Sequence, residues 1–208
     1  MTARVGLGAF LDFVCSRSQD SVRMVRRQRL MYLDHNSKAW LFYQPFRAGI
    51  RRAVSSPDTG HVISEVVTNA NRYQLPHFRE LEDGFRRWHQ RSRPVGLPVD
   101  SYSWQWDELE VRISNQTVFG LRYPDGTAEL VLPYFKEPEL TSQDTAPVLR
   151  ILERSRNEVL PGATPMVLDV RRGKPIRLRT NTNRNDLDIG IAGEVSKYLT
   201  HWQASEAA

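Results

Sequence analysis

Arginine side chains repeat along one side of two consecutive segments in the first half of the chain, and both segments have helical spacing. A guanidinium stays charged and presents its N–H donors as a planar fork, which matches phosphate and carboxylate oxygens. Two such helices lying side by side would form one basic surface. We therefore predict that these arginines contact the backbone of a nucleic acid. The residues are Arg23, Arg26, Arg27, Arg47, Arg51 and Arg52.

A second basic group lies in the other half of the chain, in the sequence Arg171-Arg172-Gly173-Lys174. Segments rich in β-forming residues flank it, so the pattern predicts a hairpin with a basic tip. From such a tip Arg171, Arg172 and Lys174 can reach phosphates. Basic turns are also common simply as solvated turns.

The basic residues are concentrated in the first half. Residues 1–100 contain 16 Lys and Arg against 9 Asp and Glu, whereas residues 101–208 contain 13 against 15. Only four of the 29 basic residues are lysines. This asymmetry fits a polyanionic ligand, an acidic protein partner or ion pairs with the chain's own second half. A GC-rich genome, which favours arginine codons, gives the same composition without any function.

Carboxylates and a lysine in the second half raise the possibility of metal-dependent phosphodiester cleavage. That reaction requires at least two oxygen ligands that converge on one cation, with a basic group near the scissile phosphate. Glu110, Asp125 and Glu129 are the candidate ligands, and Lys136 is the candidate basic group. Glu129 and Lys136 are an odd number of residues apart and so face opposite sides of a regular strand. We therefore assign no catalytic residue and expect no bound metal.

Signals of other enzyme classes are missing from the sequence. It has no glycine-rich phosphate loop, no dinucleotide fingerprint, no nucleophile elbow and no zinc-binding His-Glu-x-x-His helix. Cys15 is the only cysteine, which excludes an internal disulfide, and its apolar neighbours predict a buried, inert thiol. No stretch reaches the roughly 20 apolar residues of a membrane span. We expect a cytoplasmic protein with no cofactor and no membrane contact, and a binding protein rather than an enzyme.

Apolar residues at helical spacing predict a helical first half. The predicted helices cover residues 7–16, 18–31, a segment beginning at Pro45, 61–71 and 76–91. The Pro/Gly-rich residues 93–98 then form a joint. This divides the chain into a helical, arginine-rich region, 1–98, and a β-rich region, 99–208, which we expect to pack as one body.

After the joint the apolar period changes to two, which is typical of strands. Three strands with a tight turn at residues 124–126 predict an antiparallel meander, followed by a helix, a hairpin and a C-terminal helix. In chain order these elements cover residues 110–114, 117–123, 127–135, 140–156, 166–170, 175–178 and 188–203. The predicted fold class is α+β or α/β, with the helical half packed on the β-rich half.

Aromatic residues divide into two kinds. Trp88 and Trp202 each complete an apolar helical face and are predicted core residues. Residues 102–106, Tyr-Ser-Trp-Gln-Trp, alternate as a strand with one apolar face does. That face can be core, a partner interface or a platform for stacked bases, and the first two are the more common uses of tryptophan.

The order of a β-meander, a helix, a strand and a helix over residues 110–198 resembles the core of the PD-(D/E)XK nuclease superfamily. Lys136 matches the lysine of that motif, Tyr134 stands where the second acid belongs, and Asp125 corresponds to the first acid by topology. The resemblance implies a nuclease-like core that has lost its catalytic residues. The sequence thus predicts a non-catalytic, nucleic-acid-associated protein. The alternatives are a protein-interaction or regulatory module with an acidic partner, and a metal-dependent nuclease.

Overall fold

The computed structural model describes residues 2–16, 18–33 and 41–205, and these contain seven helices and eight strands. The helices are α1 (Leu7–Val14), α2 (Ser18–Leu33), α3 (Gln44–Val54), α4 (Thr59–Thr68), α5 (Leu75–Ser92), α6 (Ser142–Val159) and α7 (Arg184–Ala204). The strands are β1 (Ala3–Gly6), β2 (Val95–Leu97), β3 (Tyr102–Trp106), β4 (Leu109–Ile113), β5 (Phe119–Arg122), β6 (Ala128–Tyr134), β7 (Thr164–Asp169) and β8 (Lys174–Ile176).

The strands form two mixed sheets, so the predicted α+β class is confirmed. The larger sheet has five strands in the order β2-β5-β6-β7-β8, and β6 and β7 are its one parallel pair. The smaller sheet has the order β1-β4-β3, with β1 parallel to β4. Helix α6 connects β6 to β7 as the crossover that a parallel pair requires. The carboxyl ends of β6 and β7 therefore lie at the same edge of the larger sheet.

The predicted three-stranded meander is wrong in its first strand. Residues 110–114 were expected to pair with the strand that follows, but β4 belongs to the smaller sheet. Of the three predicted meander strands, only β5 and β6 pair with each other. The place beside β5 is taken by β2, which lies within the Pro/Gly segment predicted as a joint. Pro94 and Pro98 bracket it, and a three-residue strand between prolines is suited to a sheet edge.

Two hydrophobic cores lie on opposite faces of the larger sheet. Along β6, Leu130 and Leu132 contact one core while Val131 contacts the other, as alternation along a strand dictates. The first core also includes residues of α1, α2, α6, α7 and the smaller sheet, and the second includes residues of α3, α4 and α5. Helices α2 and α3 therefore do not pack side by side. Helix α2 packs against α7 and α1, and α3 packs against α4.

The two tryptophans predicted as core residues are buried, one in each core. Trp88 on α5 is 4% exposed and Trp202 on α7 is 6% exposed. The prediction of a buried thiol is wrong, because Cys15 immediately follows α1 and its side chain is exposed. Within the residues described, no helix combines the length and the apolar character needed to cross a membrane.

Candidate functional site

A carboxylate and a lysine meet at the carboxyl end of β6. Lys136 lies two residues beyond the end of this strand, and its Nζ lies 2.6 Å from Oδ2 of Asp12 on α1. The buried face of α1, which includes Phe10 and Leu11, fixes Asp12 beside the sheet edge. The predicted basic group of a metal site is thus paired with a residue for which the sequence predicted no role.

Two arginines from different helices lie within electrostatic range of the same carboxylate. Arg27 on α2 and Arg47 on α3 both act on Asp12 through charge, together with the directly paired Lys136. Withdrawal of Asp12 from water nevertheless outweighs these cations and raises the pKa of its carboxyl group above the ordinary value. We refer to Asp12, Arg27, Arg47 and Lys136 as the Asp12 cluster. It contains three cations and one carboxylate.

Helix α2 presents Arg23 and Arg26 to solvent because its inner face is fixed by polar and apolar contacts, whereas Arg29 donates to the Ser205 carbonyl at 2.8 Å. Val25 is fully buried, and Gln28 donates from Nε2 to the Ala9 carbonyl at 2.8 Å and accepts from the Tyr198 hydroxyl at 3.0 Å. Arg23 and Arg26 consequently lie on the outer face, where they form no hydrogen bond or ion pair with any described residue. Their guanidinium groups are accessible to a ligand.

Helix α3 places its arginines differently. The Arg47 guanidinium lies 5.4 Å from the centre of the Phe135 ring, and its buried Nε has no hydrogen-bond partner among the described residues. Burial, and then the charge of Arg51, lower the pKa of Arg47. Arg51 donates from Nη1 to the Asn115 carbonyl at 2.6 Å, and Arg52 lies on the exposed side, 3.8 Å from Glu65. Of the three, only Arg47 reaches the Asp12 cluster.

The second predicted basic group is engaged by acids and carbonyls of the same chain. Arg171 is buried and forms an ion pair with Glu80 on α5. Arg172 pairs with Asp169 at 3.0 Å, and Lys174 pairs with Glu139 at 2.8 Å. Further hydrogen bonds link Arg171 to the Phe135 carbonyl at 3.3 Å and Arg172 to the Glu137 carbonyl at 2.6 Å. These cations stabilise the turn after β7 and are less available to an external phosphate than those on α2.

The candidate metal ligands lie at separate places. Glu110 on β4 pairs with Arg4 at 2.9 Å and accepts from the Ser103 hydroxyl at 2.8 Å. Asp125 lies in the turn before β6 and accepts hydrogen bonds from the hydroxyl and backbone N–H of Thr127 at 2.7 and 2.9 Å, which lower its pKa. Each carboxylate is used locally.

Glu129 is the most buried of the candidate acids. It lies at the beginning of β6, where it pairs with Arg177 and accepts from the Tyr123 hydroxyl. Lys136 lies beyond the other end of the same strand. Across the described ranges, no group of three or more His, Cys, Asp or Glu residues is placed to hold a metal ion. The structure therefore does not bring Glu110, Asp125, Glu129 and Lys136 together.

The residue at the position of the expected second acid is an aromatic one. Tyr134 is buried at the end of β6, and desolvation raises the pKa of its hydroxyl, so the group is neutral at physiological pH. Although Cys15 is exposed, desolvation by the atoms packed around its thiol, and then the carboxylates of Asp144 and Asp12, raise the pKa of this group to about 12. Neither side chain supplies a negative ligand or a thiolate nucleophile near Lys136.

No known protein family, curated protein or solved structure shows significant similarity to this chain. The resemblance to the nuclease superfamily accordingly stays a prediction. One signal in the sequence could have pointed to the Asp12 cluster: Asp12 is a single acid within an otherwise apolar helix. A charged residue in such a position is rarely buried without a partner.

Proposed function

We propose that this protein is a non-catalytic, nucleic-acid-associated protein that binds the phosphate backbone through the outer face of α2 and the adjoining Asp12 cluster. The observation that carries the proposal is the 2.6 Å pair of Lys136 with Asp12 at the sheet edge, together with the charges of Arg27 on α2 and Arg47 on α3 that act on the same carboxylate. Because three cations act on one carboxylate, the cluster has a net positive charge. Phosphates are attracted to such a concentration of positive charge.

The exposure of the α2 arginines favours a polyanion over a small anion. Arg23 and Arg27 are one helical turn apart, and Arg26 lies beside them on the same outward face. Exposed guanidinium groups that follow a helix match phosphates that repeat along a strand, whereas a small anion is usually enclosed by its donors. No base-reading motif accompanies them, so we expect affinity to vary little with sequence.

Arg47 adds a second argument for an anionic ligand. Its guanidinium is largely desolvated, it faces the like charge of Arg51, and one of its donors has no acceptor among the described residues. A buried donor without a partner costs stability. An anion bound at the Asp12 cluster would stabilise the desolvated guanidinium through charge, and one that reached Nε would also satisfy that donor.

The main alternative is a protein partner, which one observation favours. Val22 is 43% exposed and Leu30 is 59% exposed, and both lie on α2 at four-residue steps from Arg26. An outer stripe of one arginine between two aliphatic residues also suits an acidic amphipathic helix. The two functions differ in their dependence on salt and in whether nucleic acid binds in the absence of any other protein.

The nuclease resemblance is compatible with the proposed function. The order β2, β5, β6, α6 and β7 gives an antiparallel meander followed by a crossover helix and a parallel strand. The resemblance covers residues 110–198 and takes residues 110–114 as its first strand, so this order corresponds to it only from β5 onward. A core of this kind without convergent metal ligands would retain binding to nucleic acid and lack cleavage. We keep this relationship as a proposal.

The test is fluorescence anisotropy with labelled duplex DNA, single-stranded DNA and RNA, at about 50 mM and about 200 mM salt. We expect binding at the lower concentration, a loss of at least about tenfold in affinity at the higher one, and similar affinities for unrelated sequences. Arg47→Ala should weaken binding to every sequence alike, because it removes one positive charge of the Asp12 cluster and no base-specific contact. Absence of binding to all three probes at low salt would refute the proposal and favour the protein partner.

A further inference from the structure

The smaller sheet has an unprotected edge strand. Strand β3 pairs with β4 through five consecutive residues and without a bulge, and no strand among the described residues pairs with its other side. Its sequence, Tyr-Ser-Trp-Gln-Trp, contains neither a charge nor a proline. Proteins usually protect an exposed edge with charges, prolines, bulges or a covering element, since unpaired N–H and C=O groups attract other strands.

The three other edge strands are protected in these ways. Strand β8 contains Lys174 and Pro175, and β2 has only three residues between Pro94 and Pro98. At the outer edge of β1, the Gly6 N–H donates to the Tyr32 hydroxyl at 2.7 Å. The contrast within one molecule marks β3 as the exception.

Hydrogen bonding in the smaller sheet shows which backbone groups of β3 face outward. The Ala3 N–H donates to the Glu108 carbonyl at 2.8 Å, so alternate residues of β4 starting from Glu108 direct their backbone groups toward β1. The intervening residues, which include Val111, direct theirs toward β3. The register then leaves the N–H and C=O groups of Ser103 and Gln105 pointing away from β4.

Aromatic and basic side chains flank this free edge. A groove of about 330 Å³ runs along β3, lined by its five residues and by Arg154 of α6. The Arg154 guanidinium lies 5.6 Å from the centre of the Trp106 ring and 3.4 Å from Asp188. On the other face, Arg112 is exposed and lies opposite Ser103 in the register.

We propose that β3 is a docking site for an extended, acidic peptide segment of a partner protein, which adds to the smaller sheet as a fourth strand. The free backbone groups of Ser103 and Gln105 supply the hydrogen bonds, and the groove accepts apolar side chains of the added strand. Arg112 and Arg154, one on each face, favour acidic side chains. Glu110, the acid on the same face as Arg112, is already engaged by Arg4 at 2.9 Å and by the Ser103 hydroxyl. Asp107 and Glu108 lie at the hairpin tip, beyond the strand.

Charge also argues against a second copy of this chain as the occupant. Antiparallel pairing of β3 with its own copy would place the two Arg112 side chains on the same face, and the two Arg154 side chains on the other. The two Arg112 side chains would be separated by both β3 strands, so their repulsion is small, but self-pairing brings no negative charge to either face. An acidic strand, which lies directly beside β3, places carboxylates nearer to the arginines on both faces.

The probe is a fluorescein-labelled peptide, Val-Glu-Val-Glu-Val-Glu with blocked ends, and its comparison peptide has lysine in place of glutamate. We expect saturable binding of the acidic peptide and at least about tenfold weaker binding of the basic one. Hydrogen exchange of the Ser103 and Gln105 amides should slow on binding, whereas the Val111 amide, already within the sheet, should not change. Equal binding of the two peptides, or no binding of either, would overturn the proposal.

The decisive variants form a matched pair at one position. Gln105→Pro removes an outward N–H without removing a bond to β4, and Gln105→Ala retains that N–H. We expect the proline variant to lose about tenfold or more in peptide affinity and the alanine variant to bind within about twofold of the original chain. Unchanged binding by a folded Gln105→Pro protein would overturn the proposal.

Two further measurements distinguish a loss of peptide binding from misfolding and from self-association. The double variant Arg112→Gln and Arg154→Gln leaves the backbone edge intact and should reduce the preference for the acidic peptide. An unchanged preference would contradict the proposed attraction between these arginines and the acidic side chains. Sedimentation should show the same oligomeric state for the original chain and Gln105→Pro. A different outcome would identify a second copy of the chain as the occupant instead: the original chain forms a dimer, Gln105→Pro abolishes that dimer, and neither peptide binds.

Discussion

At the scale of single residues, Asp12 is the feature that links the arginine helices. Its carboxylate lies 2.6 Å from Lys136 and within the charge influence of Arg27 and Arg47, which belong to helices packed on opposite faces of the larger sheet. Burial makes its ionised form unfavourable despite these cations. In the proposed function this carboxylate competes with phosphate for the same three positive groups.

Asp12→Asn should therefore strengthen nucleic-acid binding. Removing the negative charge leaves Lys136, Arg27 and Arg47 without an internal counter-ion, and we expect affinity to rise about two- to fivefold at low salt. Anisotropy with single-stranded DNA measures the change. The control is Asp83→Asn, which alters the net charge equally at an exposed position on α5. Equal increases in the two variants would show a general charge effect rather than a role for Asp12.

The raised pKa of Asp12 also predicts a pH dependence of folding stability. A carboxyl group whose pKa is higher in the folded than in the unfolded chain stabilises the fold fully below the unfolded pKa, and this contribution is lost as pH rises through the folded pKa. Thermal melts between about pH 4 and about pH 7 should show Asp12→Asn gaining stability relative to the original chain as pH increases. The opposite trend would mean that the pair with Lys136 outweighs burial.

Only part of the candidate site could be predicted from the sequence. Helical spacing was sufficient to identify the exposed arginines of α2, since an outward face depends on local periodicity. The partner of Arg171 could not be predicted, because Glu80 is 91 positions away and meets it only through tertiary packing. For the same reason, nothing in the sequence showed that Lys136 would meet Asp12.

At the scale of elements, the packing of α5 on the end of β7 depends on one glycine. A Cβ atom at Gly84 would overlap the backbone carbonyl oxygens of Val170 and Arg171, which cannot move without disturbing the sheet. The same close approach brings Glu80 to Arg171. This close contact cannot be predicted from the sequence, in which Gly84 is only a poor helix former between a charged and an aromatic residue.

Gly84→Ala should destabilise the protein by about 3 kcal/mol or more, through overpacking against backbone. The matched control is Gly193→Ala on α7, where an added Cβ meets nothing within 4 Å. There we expect a gain of about 0.5 to 1 kcal/mol from the better helix propensity of alanine. Chemical denaturation of the two variants measures both effects, and similar values would refute the proposed close contact.

The elements themselves differ in how far local pattern determines them. The helices of the first half and α6 occur where apolar periodicity predicts them, within a few residues at each end. Sheet membership was mispredicted, since β4 pairs with β1, more than 100 positions earlier in the chain. Strand pairing is decided by burial across the whole fold, so neighbouring strands in sequence need not be neighbours in a sheet.

At the scale of the whole molecule, the larger sheet is shared by two cores. Trp88 belongs to the core that contains α3, α4 and α5, and Trp202 belongs to the core on the other face. Because β6 and β7 contribute side chains to both cores, the loss of either core exposes the sheet that supports the other. We therefore expect the two cores to unfold together.

Trp88→Ala and Trp202→Ala should each cost about 3 to 5 kcal/mol of stability. Each variant should still show a single unfolding transition, shifted to lower denaturant. Coincident curves from tryptophan fluorescence and circular dichroism would establish this. Two separate transitions in either variant would contradict the shared-sheet description, and a negligible shift would show that the tryptophan is not a core anchor.

The salt dependence of nucleic-acid binding tests the central claim most directly. The logarithm of the binding constant should fall linearly with the logarithm of salt concentration, with a slope set by the number of phosphates contacted. Replacing Arg23, Arg26 and Arg27 together by alanine should reduce the magnitude of that slope by about 2 to 3. Replacing the exposed arginines Arg79, Arg91 and Arg122 changes the net charge equally and should leave the slope unaltered. Equal slopes in the two triple variants, or no binding by the original chain, would contradict the assignment of the α2 surface to phosphate binding.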